Sequence, residues 1–245
     1  PQIRTHRPAQ GGAELSETDR EGQVVSQNTS HAVMQQRHEA HDSLDDFPTP
    51  PWATRALIEH VLKPTVPKPS ATRGHGKDLI ENQSVWEPAC NRGYMARPLA
   101  EYFDVVFASD IHLYDWDGQQ RVTDFLFPKM EPPNGFDWII TNPPFRLASQ
   151  FAERCRDLKP HKGYALLVRS AFLEGVDRYN TLFKPHPPSI IAQFVERVPM
   201  VKGRHDPNAS TATSYTWLVW LRGSQETRFV WIPPCRRQLQ RDGDA

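Results

Sequence analysis

Three cysteines in 245 residues (Cys90, Cys155 and Cys235) lie far apart and form no CxxC pair. This excludes a disulfide framework and a zinc knuckle and predicts a reducing cytoplasm. No apolar run approaches the roughly 18–20 residues that a membrane span requires, so the sequence excludes a membrane protein. The first residues, PQIRTHRPAQGGAELSE, hold no apolar stretch, which argues against a cleaved secretory leader. Net charge is also missing: 29 basic and 29 acidic side chains cancel, so the overall balance singles out neither a nucleic acid nor a membrane surface. Residues 1–45 have no aromatic side chain and few large apolar ones. Such a stretch buries too little surface to offset its ordering entropy and predicts a disordered arm. Its His31, His38 and His41 have neither a cysteine nor i,i+4 spacing beside them and read as solvated; no metal site is expected.

Charge is present but unevenly placed. Residues 1–45 carry 4 basic and 7 acidic side chains, residues 101–137 carry 2 and 8, and residues 184–241 carry 9 and 3. An acidic stretch followed by a basic last third fits a cationic cofactor at one end and a polyanion at the other, and fits ordinary solvated faces as well. Ordered sequence begins near Phe47. Pro48-Thr49-Pro50-Pro51-Trp52 leads into ATRALIEHVL, where Leu57, Ile58, Val61 and Leu62 recur at helical spacing. Proline in the first turn fits, because its missing N–H has no helical partner there. Residues 64–83, rich in Pro, Gly and Lys, read as a surface loop.

From Ser84, apolar runs at 85–88, 105–110, 122–127, 138–145 and 164–172 are interleaved with helical patterns near 94–102 and 147–158. This alternation predicts a mostly parallel sheet with helices on both faces. The runs at 190–198 and 214–222 have only MVKGRHDPNASTAT between them and should pair antiparallel. The domain is expected over 46–234, followed by a polar tail at 235–245. Trp217, Trp220 and Trp231 read as core, with Trp217 and Trp220 on opposite faces of one strand.

Three constellations carry chemistry. Thr141-Asn142-Pro143-Pro144-Phe145 closes the run WIIT. The residue before each proline is pushed out of the helical region, so the strand stops abruptly. Asn142 then projects from the carboxyl edge of the sheet, where open α/β sheets bind ligands. An amide oxygen and a main-chain carbonyl are acceptors that together hold an NH2 group by both hydrogens, with Phe145 against the ring bearing it. A proline-terminated strand with a buried Phe fits the same five residues equally well. Upstream, VWEPACNRGY lacks GxGxxG and so has no dinucleotide fingerprint. It still sets Glu87 at a strand end and Gly93 where the backbone must approach something closely. Asn91 stands where a second glycine would be expected, and Asn tolerates positive φ. VVFAS ends in Asp110, placed to accept from a ribose diol or to be a plain surface carboxylate. Cys90 reads as a small buried filler, with no base identifiable near it.

In order, these motifs resemble the S-adenosylmethionine-dependent amino-group methyltransferases, especially small phage-type DNA N6-adenine methyltransferases, over roughly residues 47–222. FPTPPWATRAL resembles the family's helix-entry motif, EPACNRGYMARPL its cofactor loop, TNPPF its catalytic (D/N)PP(Y/F), and SYTWLVW its final hairpin strand. The resemblance implies a Rossmann-like class I fold: seven strands, mostly parallel, with a C-terminal antiparallel hairpin and helices on both faces. It implies S-adenosylmethionine as cofactor, with Glu87 orienting its amino-acid end. Ala89 and Gly93 would let backbone N–H groups approach, on a turn carrying Asn91, and Thr49 and Pro50 would close over the carboxylate. Asp110 would hold the ribose, Ile111 would pack on the adenine, and Asp124, beside Phe125, would accept from that ring's amine. Asn142 and the Pro143 carbonyl would bind the target amine, with Pro144 completing the motif and Phe145 stacking on the target base. Asn91 is the departure from the family pattern.

The activity implied is methylation of a nucleobase amine, adenine N6 in DNA, with RNA adenine or guanine, cytosine N4 and a protein glutamine amide as alternatives. A methyltransferase-like binding module without activity is a further one. For the polynucleotide, Arg197, Lys202, Arg204 and His205 form the best basic cluster, and Lys68, Arg73 and Lys77 a second.

Overall fold

Strands form where the sequence places its short apolar runs, and they are buried on alternating faces. The computed structural model describes residues 45–65, 79–128 and 135–244. Almost all of the expected N-terminal arm, with His31, His38 and His41, lies outside the described residues. So do residues 66–78 of the expected surface loop, with Lys68, Arg73 and Lys77.

Eight strands are present among the described residues: β1 (Ser84–Glu87), β2 (Val105–Asp110), β3 (Arg121–Val122), β4 (Trp138–Thr141), β5 (Gly163–Arg169), β6 (Ile190–Phe194), β7 (Tyr215–Leu221) and β8 (Arg228–Ile232). Their spatial order is β3-β2-β1-β4-β5-β7-β6-β8. All neighbours run parallel except β7, which lies between β5 and β6 and is antiparallel to both. The architecture is thus Rossmann-like, mostly parallel with an antiparallel C-terminal pair. From β1 the chain builds outward to β2 and β3, then returns to place β4 and β5 on the other side. The switch point between β1 and β4 is where such sheets form a crevice at their carboxyl ends. Glu87 ends β1 there and Asn142 follows β4.

Period-two alternation divides the core into two layers. Val85, Trp138, Ile140, Ala165, Leu167, Trp217 and Val219 face one side, packed on α1 (Pro51–Leu57) through Trp52, Ala53, Ala56 and Leu57. Trp86, Ile139, Tyr164, Leu166, Val168, Leu218 and Trp220 face the other, packed on α3 (Ala148–Leu158) through Phe151, Ala152 and Cys155. Trp217 and Trp220 therefore do point to opposite faces. No helix among the described residues is long and apolar enough to cross a membrane.

Four readings change. The sheet has eight strands rather than seven, because Arg228–Ile232 adds a parallel edge strand beside β6. On that edge Trp231 is 62% exposed, with its ring against Phe229, so it is not core. The run 122–127 gives only the two-residue β3 and then a turn that buries Phe125. The helix expected near 94–102 contracts to α2 (Ala96–Leu99), whose Pro98 lacks a donor and disfavours helix in the residue before it.

The polar tail is also docked. It forms α4 (Arg236–Leu239), and Cys235 is buried. Arg55, on α1 and 3% exposed, donates through Nε and Nη2 to Glu101 at 2.8 and 2.7 Å. The same guanidinium donates to the Leu239 carbonyl at 2.6 Å and to both Asp244 oxygens at 2.8 and 2.7 Å. Burial pushes the Asp244 carboxyl up, but the hydrogen bonds from Arg55 and the Arg241 N–H, together with the charges of both arginines, outweigh it and hold the group below its ordinary range. A depressed carboxylate stabilises the fold above its unfolded pKa and stops doing so as pH falls through the folded value, so this anchor weakens only in acid. Arg55→Met, which strands two carboxylates, is expected to cost about 3 kcal/mol in urea unfolding at neutral pH. A loss below about 1 kcal/mol would show that the two carboxylates are effectively solvated.

Candidate active site

The carboxyl ends of β1, β2 and β4 open onto a cleft enclosing about 790 Å³, part of it open to solvent. Of the residues expected around a cofactor, Thr49, Glu87, Ala89, Asn91, Asp110, Ile111, Asp124 and Phe125 line it; from the TNPPF segment, Asn142 and Pro144 do. Pro50, Gly93, Pro143 and Phe145 are outside the lining. Pro50 is the residue before α1 and faces a separate depression with Pro199 and His205.

Glu87 is 2% exposed, and its Oε2 has no hydrogen-bond partner. Burial raises its pKa well above the ordinary value, the Asp110 charge adds to this, and the Ala96 main-chain N–H opposes it. Asp110 is 7% exposed and is also raised by burial, although it accepts the main-chain N–H groups of Asn91 and His112 at 3.0 Å each. Two buried carboxyls on one wall of a cleft, one with an orphaned oxygen, are an unfavourable arrangement for an empty pocket and a favourable one for a bound cation. A group carrying an ammonium and a ribose fits this donor and acceptor set: Glu87 for the ammonium, Asp110 for the hydroxyls. Ile111, 62% exposed, offers an apolar surface beside Asp110.

The turn between β1 and α2 survives the missing glycine. Asn91 takes φ +49°, and its side chain donates to Asp46, which also pairs with Arg92 at 3.0 Å. Gly93 has φ +79° and its N–H closes the turn onto the Cys90 carbonyl at 2.8 Å. A Cβ there would lie 2.4 Å from the Trp116 indole. The close approach at Gly93 in this structure is to Trp116. Cys90 is 1% exposed and burial pushes its thiol up, so it is inert.

Asn142 is fixed by acceptors on its nitrogen. Nδ2 donates to the Phe47 carbonyl at 3.0 Å and lies 3.7 Å from Met200 Sδ, while Oδ1 is buried without a partner. Exchanging oxygen and nitrogen would set two acceptors against each other, so Oδ1 is the atom left over. Phe145 is not an open platform. Its ring lies 5.3 Å from Phe47 and 5.9 Å from Tyr215, and the Arg169 guanidinium sits 4.2 Å from its centroid.

The four basic residues lie on or beside the loop between β6 and β7, and each has a partner within the chain. Arg197 donates to the Ala212 carbonyl, Arg204 pairs with Asp206, Lys202 has a contact of its own, and the His205 ring lies 5.3 Å from that of Tyr94, tilted by 40°. Tyr94 lines the cleft, and the Gly203 N–H donates to the Asp46 carbonyl, so this loop meets the cleft's rim. Sequence reasoning missed Asp45, Phe47, Met200 and Arg169 as site residues. Only Arg169 left a local signal, a cation ending the apolar run YALLV at a strand's carboxyl end.

No protein-family model and no curated protein matches the chain. Among solved structures it is similar to a modification subunit assigned to a type I restriction enzyme from Vibrio vulnificus YJ016, at 16% identity and a TM-score of 0.46, over 82% of this chain and 49% of that one. It is also similar to the 23S rRNA methyltransferase ErmE, at 17% identity and 0.38, over 60% and 64%. A third is a dimethyladenosine transferase from Plasmodium falciparum, at 15% and 0.40, over 59% and 57%. The chain spans about half to two thirds of the length of these structures, and the likeness is one of fold alone.

Proposed function

We propose that the chain transfers a methyl group from S-adenosylmethionine to the exocyclic amine of a nucleobase, adenine N6 in DNA. What carries the reading is one pair of orphaned atoms on one cleft: Glu87 Oε2, which asks for a cation, and Asn142 Oδ1, which asks for an N–H. DNA and adenine rest on the resemblance of the TNPPF and EPACNRGY segments and on the basic last third of the chain.

S-adenosylmethionine, when bound, supplies an electrophilic methyl carbon. Glu87 would hold its ammonium, Asp110 its ribose, with Thr49, Ala89 and Asn91 around the amino-acid end and Ile111, Asp124 and Phe125 toward the adenine. An exocyclic amine is a poor nucleophile because its lone pair is delocalised into the ring. Asn142 Oδ1, with the Pro143 carbonyl, accepts the two amine hydrogens, favours a more tetrahedral nitrogen and stabilises the positive charge that builds on it. One amine proton then leaves to solvent, so no side chain of unusual basicity is needed. Arg197, Lys202, Arg204 and His205 at the rim would face phosphates.

Incubation with S-adenosylmethionine tritiated on its methyl, separation of DNA, RNA and protein, and digestion of the labelled pool to nucleosides tests this directly. Label in N6-methyldeoxyadenosine is expected. Label in RNA or in N4-methyldeoxycytidine would move the substrate, label in glutamine would remove nucleic acid from the reading, and no label would remove the activity.

A further inference from the structure

Phe47 is 6% exposed, at the edge of the apolar layer packed on α1, and also lines the cleft. Its ring lies 5.3 Å from that of Phe145, inclined at 41°, and the Arg169 guanidinium caps both rings, at 4.2 Å from Phe145 and 5.9 Å from Phe47. Two buried polar atoms around it have no partner: Asn142 Oδ1, an acceptor, and Arg169 Nε, a donor. Both side chains touch Phe47, Asn142 through the main-chain carbonyl and Arg169 across the ring. A phenyl ring satisfies neither atom. A flat six-membered ring with an amine next to a bare ring nitrogen satisfies both.

Resting on the amine-methylation reading above, we propose that the Phe47 side chain stands in for the target base. In the same proposal Arg169 is a specificity-determining residue whose Nε–H donates to the unprotonated ring nitrogen beside the target amine. The Phe47 ring turns away about its own side-chain bonds while its carbonyl stays on Asn142 Nδ2, so the amide keeps its orientation as the base enters. The base inherits the aromatic contact with Phe145 and finds an acceptor and a donor in the order that its edge requires. Adenine presents N1 beside N6, and cytosine presents N3 beside N4; the two share this chemistry and the nucleoside digest separates them. An acyclic glutamine amide has no ring to fill the phenyl site.

The test uses the oligonucleotide whose labelled base the tritium experiment identifies. It compares that base with its deaza analogue, 1-deazaadenine or 3-deazacytosine, which keeps the amine and replaces the ring nitrogen by C–H. In the wild-type enzyme kcat/KM is expected to fall by about 10- to 100-fold. In Arg169→Gln the normal base should lose a similar factor and the deaza base little more, so that the two changes coincide rather than multiply. Arg169→Lys, which keeps a cation beside Tyr215, serves if Arg169→Gln does not fold. Equal deaza losses in wild type and variant would overturn the contact while leaving amine methylation intact. Wild-type turnover that is indifferent to the deaza base would do the same without any variant. An absence of labelled nucleobase would instead sink the parent reading first.

Discussion

Asn142→Ala lowers methyl transfer by about 10²- to 10³-fold, the usual cost of deleting one preorganised partner of a developing charge, and leaves calorimetric binding of S-adenosylmethionine unchanged. The division follows from position: Asn142 lines the cleft with its oxygen unpartnered, while the acidic pair sits at the ends of β1 and β2. Loss of cofactor binding in this variant would reverse the assignment. Asn142→Asp is the sharper experiment, because the motif it belongs to takes Asp or Asn in that place. In this chain the two are not interchangeable. Asn142 Nδ2 faces the Phe47 carbonyl at 3.0 Å and Met200 Sδ at 3.7 Å. A carboxylate there would set acceptor against acceptor and leave the Phe47 carbonyl without its donor, at a cost of about 1–3 kcal/mol in stability. The expected Asp variant is thus both less stable and at least about 10-fold slower. Wild-type stability and rate in Asn142→Asp would show that Phe47 and Met200 do not orient the amide.

Local pattern made the scaffold legible. The strand at 105–110 lies where VVFASD placed it, and the last two expected runs do pair antiparallel around Thr216. Strand β8 escaped because Phe229 and Trp231 point to water, leaving only Val230 and Ile232 of RFVWI on a buried face. Asn91 was readable since one residue's φ preference decides the turn. Gly93 was readable as a close approach but not by its partner, since Trp116 is brought there only in three dimensions. The amide's orientation was hidden for a related reason. It is set by residues 95 and 58 positions away, and no periodicity encodes a hydrogen bond of that range. The docked tail was masked by composition: RRQLQRDGDA is mostly polar, and it is held by the buried guanidinium of Arg55 with Leu239 against the core.

Glu87→Gln is expected to abolish useful cofactor binding while making the empty protein more stable at neutral pH, two effects that a merely structural carboxyl would not combine. Glu87 is buried with one oxygen unpaired, and burial together with Asp110 holds its pKa well above the ordinary value near 4.5. A carboxyl whose folded pKa is raised contributes its full stability below the unfolded pKa and loses it as pH climbs toward the folded one. Asp110 is shifted the same way by its own burial, and its charge adds to the rise at Glu87. The empty protein should therefore melt at progressively lower temperature as pH rises above about 4.5, and Gln at 87 should flatten that slope. The Ala96 N–H keeps its acceptor in the amide. A cofactor with an ammonium acts in the opposite sense: it binds the ionised form, so its thermal stabilisation grows with pH and its binding releases a proton. Calorimetry in two buffers of different ionisation heat reads that proton. Removing the carboxylate partner of a buried cation costs about 2–5 kcal/mol, roughly a 30- to 4,000-fold loss of affinity. If Glu87→Gln bound S-adenosylmethionine as wild type does, with no proton released in either, the cleft would not be holding an ammonium at Glu87, and the orphaned oxygen would need a different ligand.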